Sequence, residues 1–233
     1  MRKFFSLSQC FLILGLFLNF ASLAESKFDG AYIGAHLGYI KGDHDEMEAY
    51  NGAAPQWWVD NINPKGINLG IYTGFNKIFT NNFLLGIEAN IEDINASNKK
   101  NGHFAGNVDD GYPVKVSFDY AASLKARLGY IFNQDSTMLF LTTGGALAKI
   151  KTDFYNENGN IVTDSNNHLY SGWTAGFGLE HAITQSISFK AEYVHTDLGS
   201  HTMHNTVYCG SLDCYDKITA EYDSIKTGLH YRF

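Results

Sequence analysis

Apolar and polar residues alternate along the chain, and the alternation continues to its last residue. In the closing segment SIKTGLHYRF, Ile225, Leu229, Tyr231 and Phe233 share one parity, while polar residues and glycine share the other. A period of two is typical of a β-strand with two different faces. Because an unpaired edge strand associates readily with other chains, this last strand is predicted to be paired within the protein.

The same alternation appears in eight segments, which predict eight strands. In chain order they are DGAYIGAHLGYI, GINLGIYTGFN, FLLGIEANIED, VKVSFDYAASLKARLGYIF, TMLFLTTGGALAKI, SGWTAGFGLEHA, SISFKAEYVHTD and the closing segment. The fourth and longest segment is assigned a single apolar face that runs from Val116 and Phe118 through Tyr120 to Tyr130. The parity of the fifth segment stays open, because apolar residues occur at both of its parities.

The connections between the predicted strands alternate in length. NKIFTNN, NQDS and ITQ are short, whereas the other links are several times longer. Those long links lie around residues 41–66, 93–113, 152–169 and 199–219. Short turns at one end and long loops at the other are typical of outer-membrane barrels. The pattern therefore predicts an all-β fold, an eight-stranded antiparallel up-and-down transmembrane β-barrel in the bacterial outer membrane, with extracellular loops and periplasmic termini.

The polar parity of the predicted strands carries charges of both signs. A soluble sandwich would direct its apolar face inward, whereas a membrane barrel directs its polar face into the lumen. Five acidic and five basic residues suit mutual pairing inside a narrow barrel, and the loop lengths favour the barrel over a secreted sandwich. The predicted lumen network consists of Glu88, Glu92, Asp119, Lys125, Arg127, Glu180, Lys190, Glu192, Lys226 and Arg232.

Large aromatic residues lie toward the strand ends on the apolar parity, where the interface girdles of a membrane barrel are found. They are Tyr39, Tyr120, Tyr130, Trp173 and Tyr193. The closing strand also resembles the signal by which outer-membrane barrels are recognised for insertion, with an aromatic last residue and apolar residues at alternate positions before it. The residues that fit this signal are Leu229, Tyr231 and Phe233. We therefore expect the barrel-insertion machinery to be a partner of this strand.

The first 24 residues have the features of a secretory signal peptide. Two basic residues precede an apolar run that ends at Phe20, and Ser22 and Ala24 suit cleavage after residue 24. The apolar run is too short for a membrane-spanning helix. The chain is therefore predicted to consist of a signal peptide, residues 1–24, and one barrel domain, residues 25–233.

Composition and charge limit the classes of molecule that the mature chain is expected to bind. Beyond residue 24, 15 basic residues face 24 acidic ones, which gives a formal charge of −9. A net acidic chain does not suit nucleic acid as a partner. Aromatic residues make up 15% of the sequence, with 23 glycines and three prolines, which fits neither a disordered chain nor an ordinary helical one.

Five stretches carry a resemblance to a known family. FDGAYIGAHLGY, TTGGALA, SGWTAGFGLEHAI, FKAEYVHTDLG and KTGLHYRF occur in the order of the corresponding strands of the small porin-like outer-membrane immunogenic proteins. The resemblance covers the strands of the mature chain but not the loops, and His195 stands where an aromatic residue is expected. It implies an eight-stranded barrel of the OmpA/OmpX-like kind, often labelled a porin or surface antigen, with no catalytic residues to transfer to this chain.

Eight strands leave an interior that side chains fill, so the barrel is expected to be plugged rather than open. The predicted function is that of an integral outer-membrane surface protein that supports envelope integrity and presents its loops for recognition. Outer-membrane lipid, lipopolysaccharide and a host or environmental ligand at the loops are the expected partners. A narrow passive porin is the alternative.

The last predicted loop contains four residues of metal-ligating type. His201, His204, Cys209 and Cys214 suit zinc or haem iron, so a haem-binding or metal-binding surface protein is a further alternative. Cys209 and Cys214 are the two cysteines of the mature chain, and an oxidising compartment favours a disulfide between them. With the disulfide formed, no metal or cofactor is expected.

A lipid-modifying enzyme is the least favoured function. His195 is followed by a hydroxyl residue, Thr196, in a strand that is predicted to end at the barrel rim. Hydrolase chemistry requires a nucleophile, a base within hydrogen-bond reach and an orienting acid. Adjacent residues in a strand point to opposite faces, so His195 and Thr196 are not expected to act together.

Overall fold

A computed structural model describes residues 27–50, 57–80, 82–101, 103–104, 113–155, 166–205 and 214–233. The strands are β1 (Gly30–Tyr50), β2 (Trp57–Ile62), β3 (Lys65–Thr80), β4 (Phe83–Asn101), β5 (His103–Phe104), β6 (Pro113–Phe132), β7 (Thr137–Phe154), β8 (Asn166–Ala182), β9 (Ile187–Asn205) and β10 (Cys214–Arg232). The predicted signal peptide lies outside the described residues. Within those ranges, no helix is long and apolar enough to span a membrane.

Eight of these strands form a closed antiparallel barrel. Their order is β10-β9-β8-β7-β6-β4-β3-β1, and β10 also pairs with β1, which closes the ring. The closing pairing runs in register from Tyr32 opposite Arg232 to Tyr50 opposite Cys214. The short strands β2 and β5 extend the sheet beside the far half of β1. The predicted eight-stranded barrel and the pairing of the last strand are therefore confirmed.

The strands continue well into the ranges that were predicted as long loops. β1 continues to Tyr50, and β4 runs to Asn101 before β6 begins at Pro113. In these extensions the pattern is inverted, because apolar residues such as Ile94 and Ala96 are buried inside while polar residues alternate with them outside. An assignment that takes the apolar face as the outer face ends each strand too early. We call this end of the barrel the loop end.

The other end is formed by tight connections, and we call it the turn end. Strands β3 and β4 are joined through residues 81–82, β6 and β7 through 133–136, and β8 and β9 through 183–186. Both ends of the barrel domain also lie here, where the Phe233 amide donates to the carbonyl oxygen of Ala31 at 3.1 Å. The short turns predicted from NKIFTNN, NQDS and ITQ are therefore confirmed.

A β-bulge in β6 changes the parity that the sequence indicated. The register with β7 shifts between Phe118 and Tyr120, which leaves Asp119 as the extra residue. Val116 and Phe118 are fully buried inside the barrel, whereas Tyr120 faces outward with 47% of its surface exposed. The prediction of one continuous apolar face from Val116 to Tyr130 is wrong, because an inserted residue exchanges the two faces of a strand.

The open parity of the fifth predicted strand is settled by its neighbours. In β7, Met138, Phe140 and Thr142 are buried in the barrel, while Leu139 and Leu141 are exposed on its outer surface. The register with β6 and β8 is continuous over this part of the strand. Hydrogen bonding to two strands of clear parity therefore fixes a strand whose own sequence is ambiguous.

The outer surface carries a broad belt of exposed apolar side chains. Tyr39, Tyr120, Tyr130 and Trp173 are exposed near its two borders, and Tyr193 is half-buried. Leucine, isoleucine and phenylalanine residues from all eight barrel strands fill the belt between them. Monomeric soluble proteins do not expose continuous apolar surfaces of this extent. The belt is the lipid-facing surface of a membrane barrel, with aromatic residues at both interfaces.

Candidate functional site

The barrel interior holds a buried ion network built from five strands. Residues two apart in a strand point to the same side, so β4, β6, β8, β9 and β10 each direct their charged residues inward. Nine of the ten residues predicted for the lumen are buried there: Glu88, Glu92, Lys125, Arg127, Glu180, Lys190, Glu192, Lys226 and Arg232. Four acids and five bases leave the set close to electrical balance.

The first cluster is arranged around Glu180. Arg127 donates to its Oε2 atom at 2.5 Å, and Arg232 donates to its Oε1 atom at 3.0 Å. The Nε2 atom of His230 lies 2.9 Å from the same Oε1 atom. The Arg127 guanidinium also lies over the Phe140 ring, 4.0 Å from its centroid. One fully buried carboxylate therefore holds two guanidinium groups from β6 and β10.

The second cluster alternates positive and negative groups across three strands. Lys190 donates to both oxygens of Glu88, at 3.0 and 2.9 Å, and Lys125 lies 3.1 Å from Glu88. Lys125 also donates to Glu192 at 2.7 Å, and the Tyr32 hydroxyl donates to Glu88 at 3.0 Å. Each carboxylate contacts two ammonium groups, so burial of these charges is compensated by pairing.

The third cluster lies around Glu92 on the loop side of the second. Lys226 donates to one oxygen of Glu92 at 2.9 Å, and the Asn68 amide donates to the other at 2.5 Å. Nearby, the Nε2 atom of His36 is 2.9 Å from the side-chain oxygen of Asn90. A small polar cavity between the second and third clusters is lined by residues of both, including Glu88, Lys125, Lys190, Lys226 and His36.

The charge list from the sequence missed the uncharged members of this network. Tyr32, His36, Tyr72 and His230 are buried on the polar parity of their strands. The hydroxyl of Tyr72 lies 3.1 Å from Nδ1 of His230, and Lys190 lies 3.8 Å from the centroid of the Tyr72 ring. Their position on the polar parity could have identified them from the sequence, because an aromatic ring or imidazole at a lumen-facing position has to pack inside the barrel.

Layers of buried apolar side chains lie inside the barrel on both sides of the ion network. At the turn end, the layer consists of Phe28, Leu84, Ile131, Met138, Phe140 and Ala182, with Ile78 packed against it. At the loop end, the layer consists of Ile40, Ile62, Ile94, Ala96, Val114, Val116, Phe118, Ala121, Ala148, Ile150, Tyr170, Leu198, Ala220 and Tyr222. The charged groups therefore lie between two clusters of buried apolar side chains.

A closed barrel with a lipid-facing belt, aromatic borders and an ion-paired lumen is the arrangement of an outer-membrane barrel. The family model described as "Outer membrane protein beta-barrel domain" matches residues 10–233 of the chain. The chain belongs to this family. It is an integral β-barrel surface protein of the bacterial outer membrane.

Similar members of this outer-membrane family are known from Brucella. The 31 kDa outer-membrane immunogenic protein of Brucella melitensis is 26% identical over 217 residues, which cover 89% of this chain and 84% of that protein. The 25 kDa outer-membrane immunogenic protein of Brucella abortus is 30% identical over 211 residues, which cover 90% and 81%. The resemblance to porin-like outer-membrane immunogenic proteins is therefore confirmed.

Among solved structures, the outer-membrane protein OprG from Pseudomonas aeruginosa has a similar fold. Its TM-score is 0.54 with 11% identity, over 89% of this chain and 98% of that one. At this level of identity the likeness concerns the fold alone.

Asp119 was predicted for the lumen network of this outer-membrane barrel, and that prediction is wrong. Its side chain is 38% exposed, and its Oδ2 atom lies 3.4 Å from the Lys149 ammonium group. Because Asp119 is the extra residue of the β6 bulge, it leaves the alternation that places Lys125 and Arg127 inside.

His195 lies on the outer surface of the outer-membrane barrel, where its partner is an aspartate of the next strand. Its Nδ1 atom is 3.0 Å from Oδ1 of Asp223, and the Tyr193 hydroxyl donates to the same oxygen at 2.6 Å. Thr196 is buried on the opposite face and donates to the hydroxyl of Thr174. The two side chains therefore lie on opposite faces of β9, as their adjacency in the strand predicts. Asp223 was missed because its pairing with His195 depends on the register between β9 and β10.

The four side chains of metal-ligating type in the last predicted loop lie outside the described part of the structure. His201, His204 and Cys214 are within strands, but their side chains are not described, and Cys209 falls in the undescribed range 206–213. The disulfide, metal and haem hypotheses for these residues therefore stay predictions. Among the side chains that the structure does describe, no group of three or more His, Cys, Asp or Glu residues could hold a metal ion.

The residues of the predicted insertion signal face outward at the turn end of the outer-membrane barrel. Leu229 and Tyr231 are exposed on the outer surface of β10, and Phe233, which directly follows the last residue of β10, is exposed beside them. The rings of Tyr231 and Phe233 contact each other edge to face, with centroids 5.3 Å apart. Recognition of these residues by the insertion machinery stays a prediction.

Proposed function

We propose that this outer-membrane protein is a sealed, non-catalytic barrel that supports envelope integrity and presents its loop end to the exterior for surface contact. The termini and short turns then face the periplasm. The barrel-insertion machinery recognises the carboxyl-terminal strand, and outer-leaflet lipopolysaccharide surrounds the loop half. A host or environmental ligand binds at the loop end.

The observation that carries the proposal is the layered interior. A permeating ion would have to displace the apolar layer at each end and then separate buried ion pairs such as Arg127–Glu180. Breaking a buried pair leaves an uncompensated charge, which costs about 3–5 kcal/mol per pair. This barrier favours a structural and surface function over a narrow porin.

The lengths of the connections at the two barrel ends support the proposed orientation, and the names of the relatives support contact with the exterior. Outer-membrane barrels have short periplasmic turns and longer extracellular segments, and the three connections of two to four residues that join β3 to β4, β6 to β7 and β8 to β9 lie at the end that holds the carboxyl terminus. The Brucella relatives are named immunogenic proteins, which fits a loop end that is reached by host molecules. The absence of a catalytic role is favoured because the His195–Asp223 pair lies on the surface opposite to the Thr196 hydroxyl.

Planar-bilayer recording is expected to detect no discrete channels from the folded protein. The chain is purified in detergent, and its heat-dependent shift on a gel establishes that the barrel is closed before it is added to the bilayer. A large porin in the same bilayer provides the control for insertion and sensitivity. Reproducible single-channel steps from the shifted species would contradict the sealed barrel and support the porin alternative.

Labelling of single cysteines is expected to report opposite orientations for the two ends. In a Cys209→Ser/Cys214→Ser background, Asn101→Cys at the loop end should react with a membrane-impermeant maleimide on intact cells. Gln134→Cys in the turn between β6 and β7 should react only after the outer membrane is permeabilised. The reverse pattern would show that the proposed orientation is wrong.

A further inference from the structure

Lysine and serine side chains form a continuous face on the outer surface at the loop half of the barrel. We name it the lysine–serine face, and it consists of Lys65, Ser97, Lys99, Lys115, Ser117 and Lys151. These residues belong to β3, β4, β6 and β7, which are neighbours in the barrel. Their outward parity is clear because Ala96, Val116 and Ile150, next to them in sequence, are buried inside.

The strand register places four of these residues in one row. Lys65 lies opposite Ser97, Ser97 opposite Ser117, and Ser117 opposite Lys151. Neighbouring strands are about 4.8 Å apart, so the two lysines flank the two hydroxyl groups over about 14 Å of backbone. The row therefore presents two hydroxyl donors between two ammonium groups.

A pair of lysines borders this row on the side toward the loop end. Lys99 and Lys115 lie directly opposite each other on β4 and β6, two residues beyond Ser97 and Ser117. Like charges directly opposite in a sheet are unfavourable unless an anion offsets them. The Lys99 ammonium group lies over the ring of Tyr155, 3.9 Å from its centroid, which holds one of the two charges in position.

The acidic residues near the face neutralise only part of its charge. The Lys151 ammonium group lies 3.2 Å from the largely buried Asp153, and Asp119 pairs with Lys149 rather than with a member of the face. Asp153 also lies opposite Lys115 in the register of β6 and β7, but its ion pair is with Lys151. Among the described residues, Lys65, Lys99 and Lys115 form no ion pair with a carboxylate. The face therefore has an excess of positive charge in a chain that is acidic as a whole.

The opposite side of the barrel has the opposite charge. On β1, β10 and β9, Asp43 lies opposite Glu221, and Glu221 lies opposite Asp197. In the ring of eight strands, β10 lies across from β6, β9 across from β4 and β1 across from β7. Acidic residues thus lie opposite one another across these strands, whereas lysines lie opposite each other across β4 and β6, so an anionic ligand favours the side with the lysines.

The lysine–serine face lies next to the lipid-facing belt. Ile67, two residues from Lys65, and Tyr120, three residues from Ser117, are both exposed on the same outer surface. An amphiphile can thus place its acyl chains on the belt while its headgroup reaches the lysines. Several ammonium groups spread over about 14 Å suit a headgroup with more than one phosphate rather than a single one.

We propose that the lysine–serine face binds the phosphate groups of lipopolysaccharide in the outer leaflet. The proposal rests on the proposed orientation, since that lipid lies in the leaflet nearer the loop end. Ammonium groups pair with the phosphates, and the hydroxyls of Ser97 and Ser117 donate to phosphate oxygens. The bound lipid supplies ion pairs to Lys99 and Lys115, which form none with a carboxylate of the described residues.

The test compares two double variants of the full chain, purified from outer membranes and freed of lipid in detergent. The probe is diphosphorylated lipid A, and its dissociation constant is measured by titration. Lys99→Gln/Lys115→Gln is expected to weaken binding about tenfold, because two ion pairs near the surface are lost. Lys27→Gln/Lys77→Gln removes the same charge at the turn end and is expected to leave the dissociation constant within about twofold.

Two further probes distinguish lipopolysaccharide from other sources of phosphate. Phosphatidylglycerol, with one phosphate, and inorganic phosphate are both expected to bind more weakly than lipid A and with less difference between the variants. Equal lipid A affinity for the two double variants would overturn the site, as would phosphatidylglycerol binding as tight as lipid A. In detergent, lipid A affinity does not depend on how the barrel is oriented in the membrane. If the parent chain binds lipid A as expected but the cysteine labelling pattern on cells is the reverse of the one expected, the proposed orientation is wrong. The assignment of the bound lipid to the outer leaflet is then wrong as well.

Discussion

Replacing Glu180 by glutamine is expected to lower the free energy of unfolding by about 3–5 kcal/mol. The substitution preserves the shape of the side chain but removes the negative charge that holds Arg127, Arg232 and His230. Two guanidinium groups would then remain buried side by side without a counter-charge. Urea unfolding of the protein in lipid vesicles, followed by tryptophan fluorescence and by the heat-dependent gel shift, measures the effect.

Asp119→Asn is the matched control for Glu180→Gln. It makes the same chemical change in an acid that also has a basic partner, but the Asp119–Lys149 pair is on the outer surface and partly exposed. Exposed ion pairs contribute about 0–1 kcal/mol, so the control should unfold at nearly the same urea concentration as the parent protein. Equal losses for the two variants would show that the lumen network does not contribute more than a surface ion pair.

A valine at Gly144 is expected to prevent formation of the compact barrel, whereas a valine at Gly145 is expected to be tolerated. A Cβ atom at Gly144 would overlap the carbonyl oxygen of Leu124 and lie 2.7 Å from the Cα atom of Lys125, so backbone would have to move. Overpacking of this kind typically costs about 1–3 kcal/mol and can cost more where no side chain can yield. A Cβ atom at Gly145 meets nothing within 4 Å.

The two glycine variants are compared by the fraction of protein that gives the fast-migrating, heat-sensitive band after refolding. The residues are adjacent in β7 and receive the same substitution, so intrinsic β-propensity is matched and only the face differs. A normal fraction of compact barrel for Gly144→Val would mean that β6 and β7 can separate locally without loss of closure. A loss for Gly145→Val would indicate a contact at the lipid face that the structure does not contain.

The faces of the strands were predicted most accurately within the membrane belt, where the lipid-facing side is apolar and the lumen-facing side is polar. In β10, Ile225 and Leu229 face lipid while Lys226 and His230 face the lumen, so alternation identified both sides correctly. Beyond the belt that contrast is lost, because the interior becomes apolar around Ile94 and the exterior becomes polar. The sequence still alternates there, but its apolar parity no longer indicates the outer face, and the strands were therefore predicted too short.

The bulge in β6 and the partners within the lumen were not accessible from the sequence. An inserted residue such as Asp119 alters the parity without altering the composition of the segment. The partners of Glu180 depend on the stagger between strands, which brings Arg127 from β6 and Arg232 from β10 to the same carboxylate. Parity predicts which residues enter the lumen, whereas pairing across the lumen depends on the geometry of the closed ring.

The ion pairs of the lumen have a consequence for the order of events during folding. Glu88 and Lys125 pair between neighbouring strands. Other pairs join residues far apart in the chain: Arg232 and Glu180 are separated by 52 positions, Lys190 and Glu88 by 102, and Lys226 and Glu92 by 134. A single hairpin thus still carries charges whose partners have not yet arrived, and unpaired charges at membrane depth are expensive. Contacts of such long sequence separation also form slowly. The chain is therefore expected to keep its lumen side hydrated until the first and last strands meet, so that ring closure and full entry into lipid occur as one late, concerted step.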